Sequence, residues 1–267
     1  MEYKIRRTDR KLESAGSVLE FYRDTMILPD GTEQKWDYVR HKKGGGACSV
    51  PVLADGRILM IRQYRPAIDR EALELPAGAR DASGEDPEVT AARELEEETG
   101  YRPGKMTRLA SILTAIAWCN ERTDIYLAQD LEKVSEQQLD EAEEIGICAV
   151  PLEDLCRRIY AGEIQDAKTV AGIMAYRSFL AEEAVRKAEE TARKAEETVR
   201  KAEENAREAE KNARDAEEAV RKIEEAVRKA EVAAGKTEEE KAAERTSELP
   251  DTLLSRLRRV LKQARTG

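Results

Sequence analysis

Glu94, Glu97 and Glu98 fall at i, i+3 and i+4 in the run Arg93-Glu94-Leu95-Glu96-Glu97-Glu98-Thr99-Gly100. On an α-helix this spacing brings three carboxylates to one face. In the C-terminal repeat nearly every glutamate has a basic residue four positions on, as in Glu182 to Arg186 and Glu183 to Lys187, whereas Glu94 has Glu98 there and Glu97 has Tyr101. Like charges at that spacing cost an isolated helix about 0.2–0.5 kcal/mol per pair. A solvated acidic face is the plainer alternative, but the missing counter-charge favours a site for a cation. Hard divalent ions with oxygen ligands, Mg²⁺ foremost and Mn²⁺ in its place, suit convergent carboxylates and bridge them to a substrate phosphate.

The elements that must hold this cluster can be read around it. Asp86-Pro87 followed by residues 88–98 predicts a capped helix with proline in its first turn, stopped by Gly100. Pro29-Asp30-Gly31 and Ala54-Asp55-Gly56 are turn signals, the second joining the β-rich runs 48–53 and 57–63 into a hairpin. Further strands are expected at 109–117, 124–128 and 146–150, and helices at 152–160 and 168–180. The pattern is that of an α+β sandwich with helices on a mixed sheet.

Composition divides the chain. Of 267 residues 38% are charged and 4% aromatic, which is too charged and too poor in aromatics for one uniform globular domain. The net charge of −9 speaks against a non-specific nucleic-acid binder, and no apolar run approaches the roughly 18 residues of a membrane span. Met1 leads straight into charged residues, and Cys48, Cys119, Cys148 and Cys156 share no short metal or disulfide spacing, so a reduced, cytoplasmic setting is expected. From Ala181 the sequence repeats every seven residues (AEEAVRK, AEETARK, AEETVRK and onward). The expected organisation is a globular domain at 1–180, a heptad-repeat helical arm at 181–243 and a short basic amphipathic segment at 244–267.

The arm carries Val185, Ala188, Ala192, Ala195 and Val199, with their successors to Ala230, at alternating spacings of three and four, a coiled-coil seam. Helix formation is strongly favoured by alanine and by the Glu-before-Lys/Arg pairs. Association is weakly driven, since an alanine methyl buries about 0.8 kcal/mol where a leucine buries about 1.5–3. A solvated or weakly paired rod is the first reading, tight antiparallel alanine packing the second, and a helix partner for the arm is expected in either paired form. In the final segment Leu253, Leu254, Leu257, Val260 and Leu261 form a stripe flanked by Arg256, Arg258, Arg259, Lys262 and Arg265, suited to docking on the domain, a partner or an anionic surface.

Gly78 to Glu85, followed by Arg93 to Tyr101, resembles the Nudix box, whose pattern is Gly, five residues, Glu, seven residues, then Arg-Glu-aliphatic-x-Glu-Glu-x-Gly-aliphatic. Two departures are visible: six residues separate Gly78 from Glu85, and Tyr101 takes an aliphatic place. Over residues 20–180 the segments 36–41, 62–66, 74–78, 150–155 and 162–169 are similar to the ADP-ribose pyrophosphatase-like branch. Where that branch commonly carries Ser-Pro-Gly-Phe before a Glu-containing turn, this chain has Ala115-Ile116-Ala117-Trp118-Cys119-Asn120-Glu121, with Ile116 in the place of the proline.

The resemblance implies a Nudix-type α/β/α sandwich with a mixed sheet, followed by a long Ala/Glu/Lys/Arg helix. It implies Mg²⁺-dependent hydrolysis of a nucleoside diphosphate conjugate, ADP-ribose or another nucleotide sugar, to a nucleoside monophosphate and a sugar phosphate. The metal would be held by Glu94, Glu97, Glu98 and the Ala77 carbonyl, with Arg93 orienting a box carboxylate, forming a plain helical pair with Glu97, or both. Glu143 or Glu144, in the acidic run 140–144, would act as general base, an ordinary solvated acidic loop being the alternative. On their own chemistry Arg62 and Arg65 could fork onto phosphate or be solvated surface residues, and Trp36, Tyr38 and Trp118 could stack on a base or belong to the core. Glu121 of the Glu-containing turn is a further substrate contact, and a homodimer is expected from the resemblance, with strands near Trp36 reaching the neighbour's pocket. A nucleotide-sensing module and a Nudix-anchored coiled-coil protein are the alternatives. The one histidine, His41, has no triad pattern around it. Gly44-Gly45-Gly46 reads as a flexible strand connection, and neither it nor Gly235-Lys236-Thr237 completes a phosphate loop.

Overall fold

The computed structural model describes residues 4–81, 84–139, 144–235 and 240. The chain forms two compact units, Met1–Val185 and Arg186–Gly267.

Among the described residues the first unit contains three sheets. Strands β1 (Arg6–Ala15), β2 (Leu19–Ile27) and β3 (Glu33–His41) make an antiparallel meander. Strands β5 (Ile58–Arg65), β6 (Arg70–Glu74) and β10 (Ile145–Val150) form an antiparallel sheet in the order β10-β5-β6. The third sheet runs β7-β4-β9-β8, from β7 (Ala77–Ala79), β4 (Gly45–Pro51), β9 (Arg122–Lys133) and β8 (Tyr101–Leu113). It is mixed, because β4 and β9 are parallel while the other pairs are antiparallel.

Strand β4 shows how the layers arise. Its side chains alternate across the sheet, so Cys48 and Val50 enter one core and Ala47 the other. Strand β9 alternates in step, with Ile125 and Leu127 on the first side and Tyr126 and Ala128 on the second. The first core is closed by Leu155 and Cys156 of helix α2 (Leu152–Tyr160) and by Ile173 and Tyr176 of helix α3 (Ala167–Ala233). The second is closed by Ala91 and Leu95 of helix α1 (Pro87–Thr99). The result is the α/β/α sandwich with a mixed sheet.

Three local expectations are corrected. The turn at Ala54-Asp55-Gly56 forms, with Leu53 N–H donating to Arg57 O and Gly56 N–H to Leu53 O, but only an isolated bridge, Val52 to Ile58, joins its two sides among the described residues, and β4 and β5 belong to different sheets. The strand expected at 109–117 begins at Tyr101, stops at Leu113 and gives way to a turn. Gly45 and Gly46 do not form a flexible connection. They are strand residues pressed against the backbones of Arg122 and Gly78, where a Cβ would lie 1.9 and 2.0 Å from a carbonyl oxygen.

In the second unit α3 continues to Ala233, so residue 180 lies inside a helix. The seam residues Val199, Ile223 and Val227 are exposed, and Glu-to-Lys pairs four apart recur at 2.7–2.9 Å. Among the described residues no helix is long and apolar enough to cross a membrane. The amphipathic segment expected at 244–267 lies outside the described residues.

Candidate active site

Helix α1 is built by local signals. The Asp86 carboxylate accepts from Glu88 N–H at 3.0 Å, Pro87 occupies the first turn, and Gly100, at φ 74°, donates its N–H to Glu96 O. Its remaining C-terminal carbonyls are met by the segment after β9: Glu97 O accepts from Gln138 N–H at 2.8 Å and Glu98 O from Gln137 Nε2 at 2.7 Å. The helix is thereby fixed at both ends with its acidic face toward β7.

Glu94, Glu97 and Glu98 line one cavity of about 380 Å³ with Ala77, Gly78 and Ala79, Lys43, Asp81, Arg93 and Gln138. Glu98 accepts from the Ala77 N–H at 3.0 Å. The Arg93 Nη1 donates to Glu94 at 2.9 Å and to Glu97 at 2.8 Å, while its Nη2 donates to Ala79 O at 3.1 Å. The expectation of unneutralised carboxylates is therefore corrected: Arg93 supplies a counter-charge from within the helix, a partner one and four residues away. Burial works against the Arg93 charge, but Glu94 and Glu97 overcome it and raise its pKa. Glu85 accepts from Asp81 N–H at 2.8 Å and from Thr90 Oγ1 at 2.9 Å, which ties Asp81 to the first turn of α1.

Gly78 is required here by contact. A Cβ built on it would lie 2.1–2.3 Å from the three carboxyl atoms of Glu94. Among the described residues no three His, Cys, Asp or Glu side chains already converge as a metal cage. The donor chemistry nevertheless fits a hard divalent ion, because the acidic side chains and the β7 peptide oxygens offer oxygen alone. Glu94, Glu97, Glu98 and the Ala77 carbonyl are the groups that would hold it.

A second cavity, of about 240 Å³, shares Ala77, Gly78 and Ala79 with the first and is also lined by Arg65, Glu121, His41, Asp166 and Lys168. Arg65 forks onto Glu74, with Nε and Nη2 both 2.7 Å from its carboxyl oxygens. Burial alone would raise the Glu74 pKa, but Arg65 and Lys168 hold it down to about 2. Lys168, partly buried, keeps a raised pKa against that burial because Asp166 and Glu74 both contact it. Glu121 accepts from Thr114 Oγ1 at 2.7 Å, and the buried His41 accepts at Nδ1 from the Gly45 N–H at 3.0 Å.

The remaining expected residues are not gathered at these cavities. Arg62 pairs with Glu71 at 3.0 Å on the exposed side of β5. Trp36 is 43% exposed and lines, with Ile116 and Trp118, a separate hollow of about 160 Å³. Glu144 is exposed just before β10 and lines neither cavity, while Glu143 lies outside the described residues. Glu74, Asp166 and Lys168 were not singled out from the sequence, and His41 was considered there only as a triad member and set aside. Those three lie in segments 74–78 and 162–169, whose family likeness was the available signal.

The α/β/α sandwich places the acidic face of α1 beside a cavity lined by Arg65 and Lys168 as well as Glu121 and Asp166, a setting suited to a phosphate compound. The NUDIX domain model matches residues 43–173. The chain is 36% identical over 160 residues to an ADP-ribose pyrophosphatase of Bacillus subtilis and 35% identical over 160 residues to a methanol dehydrogenase activator of Bacillus methanolicus. Each alignment covers 60% of this chain and 85% of the relative. A crystal structure of an ADP compounds hydrolase superposes with a TM-score of 0.60 at 20% identity, covering 68% of this chain and 96% of that one, and shares the fold. This chain belongs to the Nudix family and is a Nudix pyrophosphohydrolase.

Proposed function

We propose that this protein hydrolyses a nucleoside diphosphate conjugate, ADP-ribose or a related nucleotide sugar, to a nucleoside monophosphate and a sugar phosphate with Mg²⁺ or Mn²⁺. The observation that supports this most is strand β7. Its residues Ala77, Gly78 and Ala79 wall two cavities at once, one bearing the box carboxylates and one bearing Arg65 and Lys168. A pyrophosphate beside that wall has cation ligands on one side and the chain's own cations on the other.

A bound divalent ion would neutralise the pyrophosphate and lower the pKa of a water. The chain's part is to place that chemistry. Arg93 holds the Glu94 and Glu97 carboxylates, and the Ala77 N–H holds that of Glu98. The free edge of the Arg65 guanidinium takes a phosphate oxygen, and Glu121 meets a hydroxyl of the sugar. Glu143 or Glu144 accepts the proton of the attacking water on its carboxylate. Trp36 serves the neighbouring subunit of a homodimer, which accounts for its distance from the Arg65 cavity in its own chain.

The test is AMP release from ADP-ribose with Mg²⁺, in the native protein and in Glu97→Gln. The variant should lose about 10²-fold or more in kcat, since its carboxylate acts in the transition state. Its melting temperature should fall only slightly, because the pair with Arg93 is half-exposed and worth about 0.3–0.5 kcal/mol. Undiminished turnover in Glu97→Gln would overturn the assignment.

A further inference from the structure

We propose that Glu74 and Lys168 are positioning residues that lock Arg65 for the anionic part of the substrate, an inference that rests on the function proposed above. Glu74 ends strand β6 and is 2% exposed. Its two carboxyl oxygens accept from Nε and Nη2 of Arg65, both at 2.7 Å, and its Oε2 also accepts from Lys168 Nζ. Lys168 Nζ donates in addition to Asp166 Oδ2 at 3.0 Å. Asp166 caps α3 by accepting from Thr169 N–H at 3.0 Å and Thr169 Oγ1 at 2.6 Å, and that hydroxyl accepts from Leu75 N–H at 2.9 Å.

This chain of bonds ties the end of β6 to the start of α3, and it ends on Arg65. A fork of two bonds fixes the plane of a guanidinium as well as its position, which a single bond does not. Among the described residues no hydrogen bond takes Arg65 Nη1, so one edge of the locked group is left for a ligand in the cavity that Arg65 lines. Lys168 has a distinct part. Glu74 and Asp166 carry two negative charges beside Arg65, and without Lys168 both would draw on the Arg65 charge. With Lys168 present the network is balanced, and Arg65 can serve a third anion.

Stability alone is a poor reason for this arrangement. Buried ion pairs are often no better than well-packed apolar residues of similar volume. Here they stand at a cavity wall beside Ala77, where an oriented cation has a use. Glu74, held to about pH 2, stays ionised through any assay range, so the fork does not loosen by titration.

The experiment is a double-mutant cycle in the full-length protein with ADP-ribose and Mg²⁺. Glu74→Gln, nearly isosteric, should raise KM by about tenfold, the weight of one charged hydrogen bond, while kcat stays within about threefold. Arg65→Ala should raise KM similarly, and the double variant no further. Binding of ADP-ribose measured by calorimetry in EDTA should show the same coupling without turnover. Should Glu74→Gln fail to fold, Lys168→Met carries the same cycle. Effects on KM that multiply in the double variant, or a fall in kcat at constant KM, would overturn the positioning role. A native protein that neither binds nor hydrolyses ADP-ribose would instead sink the proposed function.

Discussion

Gly78 and Glu94 are sixteen residues apart in the chain and in van der Waals contact in the fold, which makes the glycine a sharp probe of the carboxylate. Alanine there would place its Cβ on the Glu94 carboxyl group, the far end of a flexible side chain, so that group moves and the backbone stays. Gly78→Ala should therefore keep its melting temperature within a few degrees while losing most Mg²⁺-dependent turnover, checked by thermal unfolding beside activity. Glu74 offers a different test, through acid. Its pKa is depressed in the folded state, so its contribution to stability is complete above the ordinary carboxylate range and is lost as pH falls toward about 2. Denaturant unfolding of the native protein should weaken across that window more steeply than that of Glu74→Gln. The box carboxylates were legible because their spacing is local. The Glu74 network was not, since Lys168 lies 94 residues from Glu74 and no spacing rule joins them.

At the scale of elements, what could be read was whatever carries its own signal. Helix α1 announced itself through Asp86, Pro87 and Gly100, and α2 through its apolar spacing, while β9 and β10 stood out as apolar runs. Strand β1 is exposed along nearly its whole length, and β3 over its first half, so the alternation that reveals a strand is absent from them. The turn before β5 was visible, but the choice of sheet depends on distant partners that a turn does not specify. Helix α3 meets the central sheet at Gly172, where an added Cβ would lie 2.6 Å from Leu75 Cδ1 and 3.3 Å from Ile125 and Val50. Alanine in place of a helical glycine gains about 1 kcal/mol in propensity, but overpacking a closed core costs about 1–3. Leu75, Ile125 and Val50 are all fully buried, so the cost prevails. Gly172→Ala should lower the midpoint of denaturant unfolding, with kcat unchanged while the protein is folded.

Across the whole chain, the two units invite separation. Ending the chain after Val185 retains every residue that lines the two cavities, and turnover should stay within a few-fold of the full protein, measured by AMP release. Light scattering on the full chain and on 1–185 tests the proposed homodimer; a monomer in both at micromolar concentration would remove Trp36 from the substrate pocket. A peptide of residues 186–233 should be strongly helical by circular dichroism and less so in high salt, as the Glu-to-Lys pairs are screened. The repeat has one more consequence, for heredity. Seven residues turn a helix through almost two full revolutions, leaving a drift of only about 20°. Loss or duplication of a whole repeat therefore preserves both the seam and the ion pairs, whereas loss of one residue would turn everything beyond it by about 100°. Closely related chains carrying this arm are expected to differ in its length by multiples of seven.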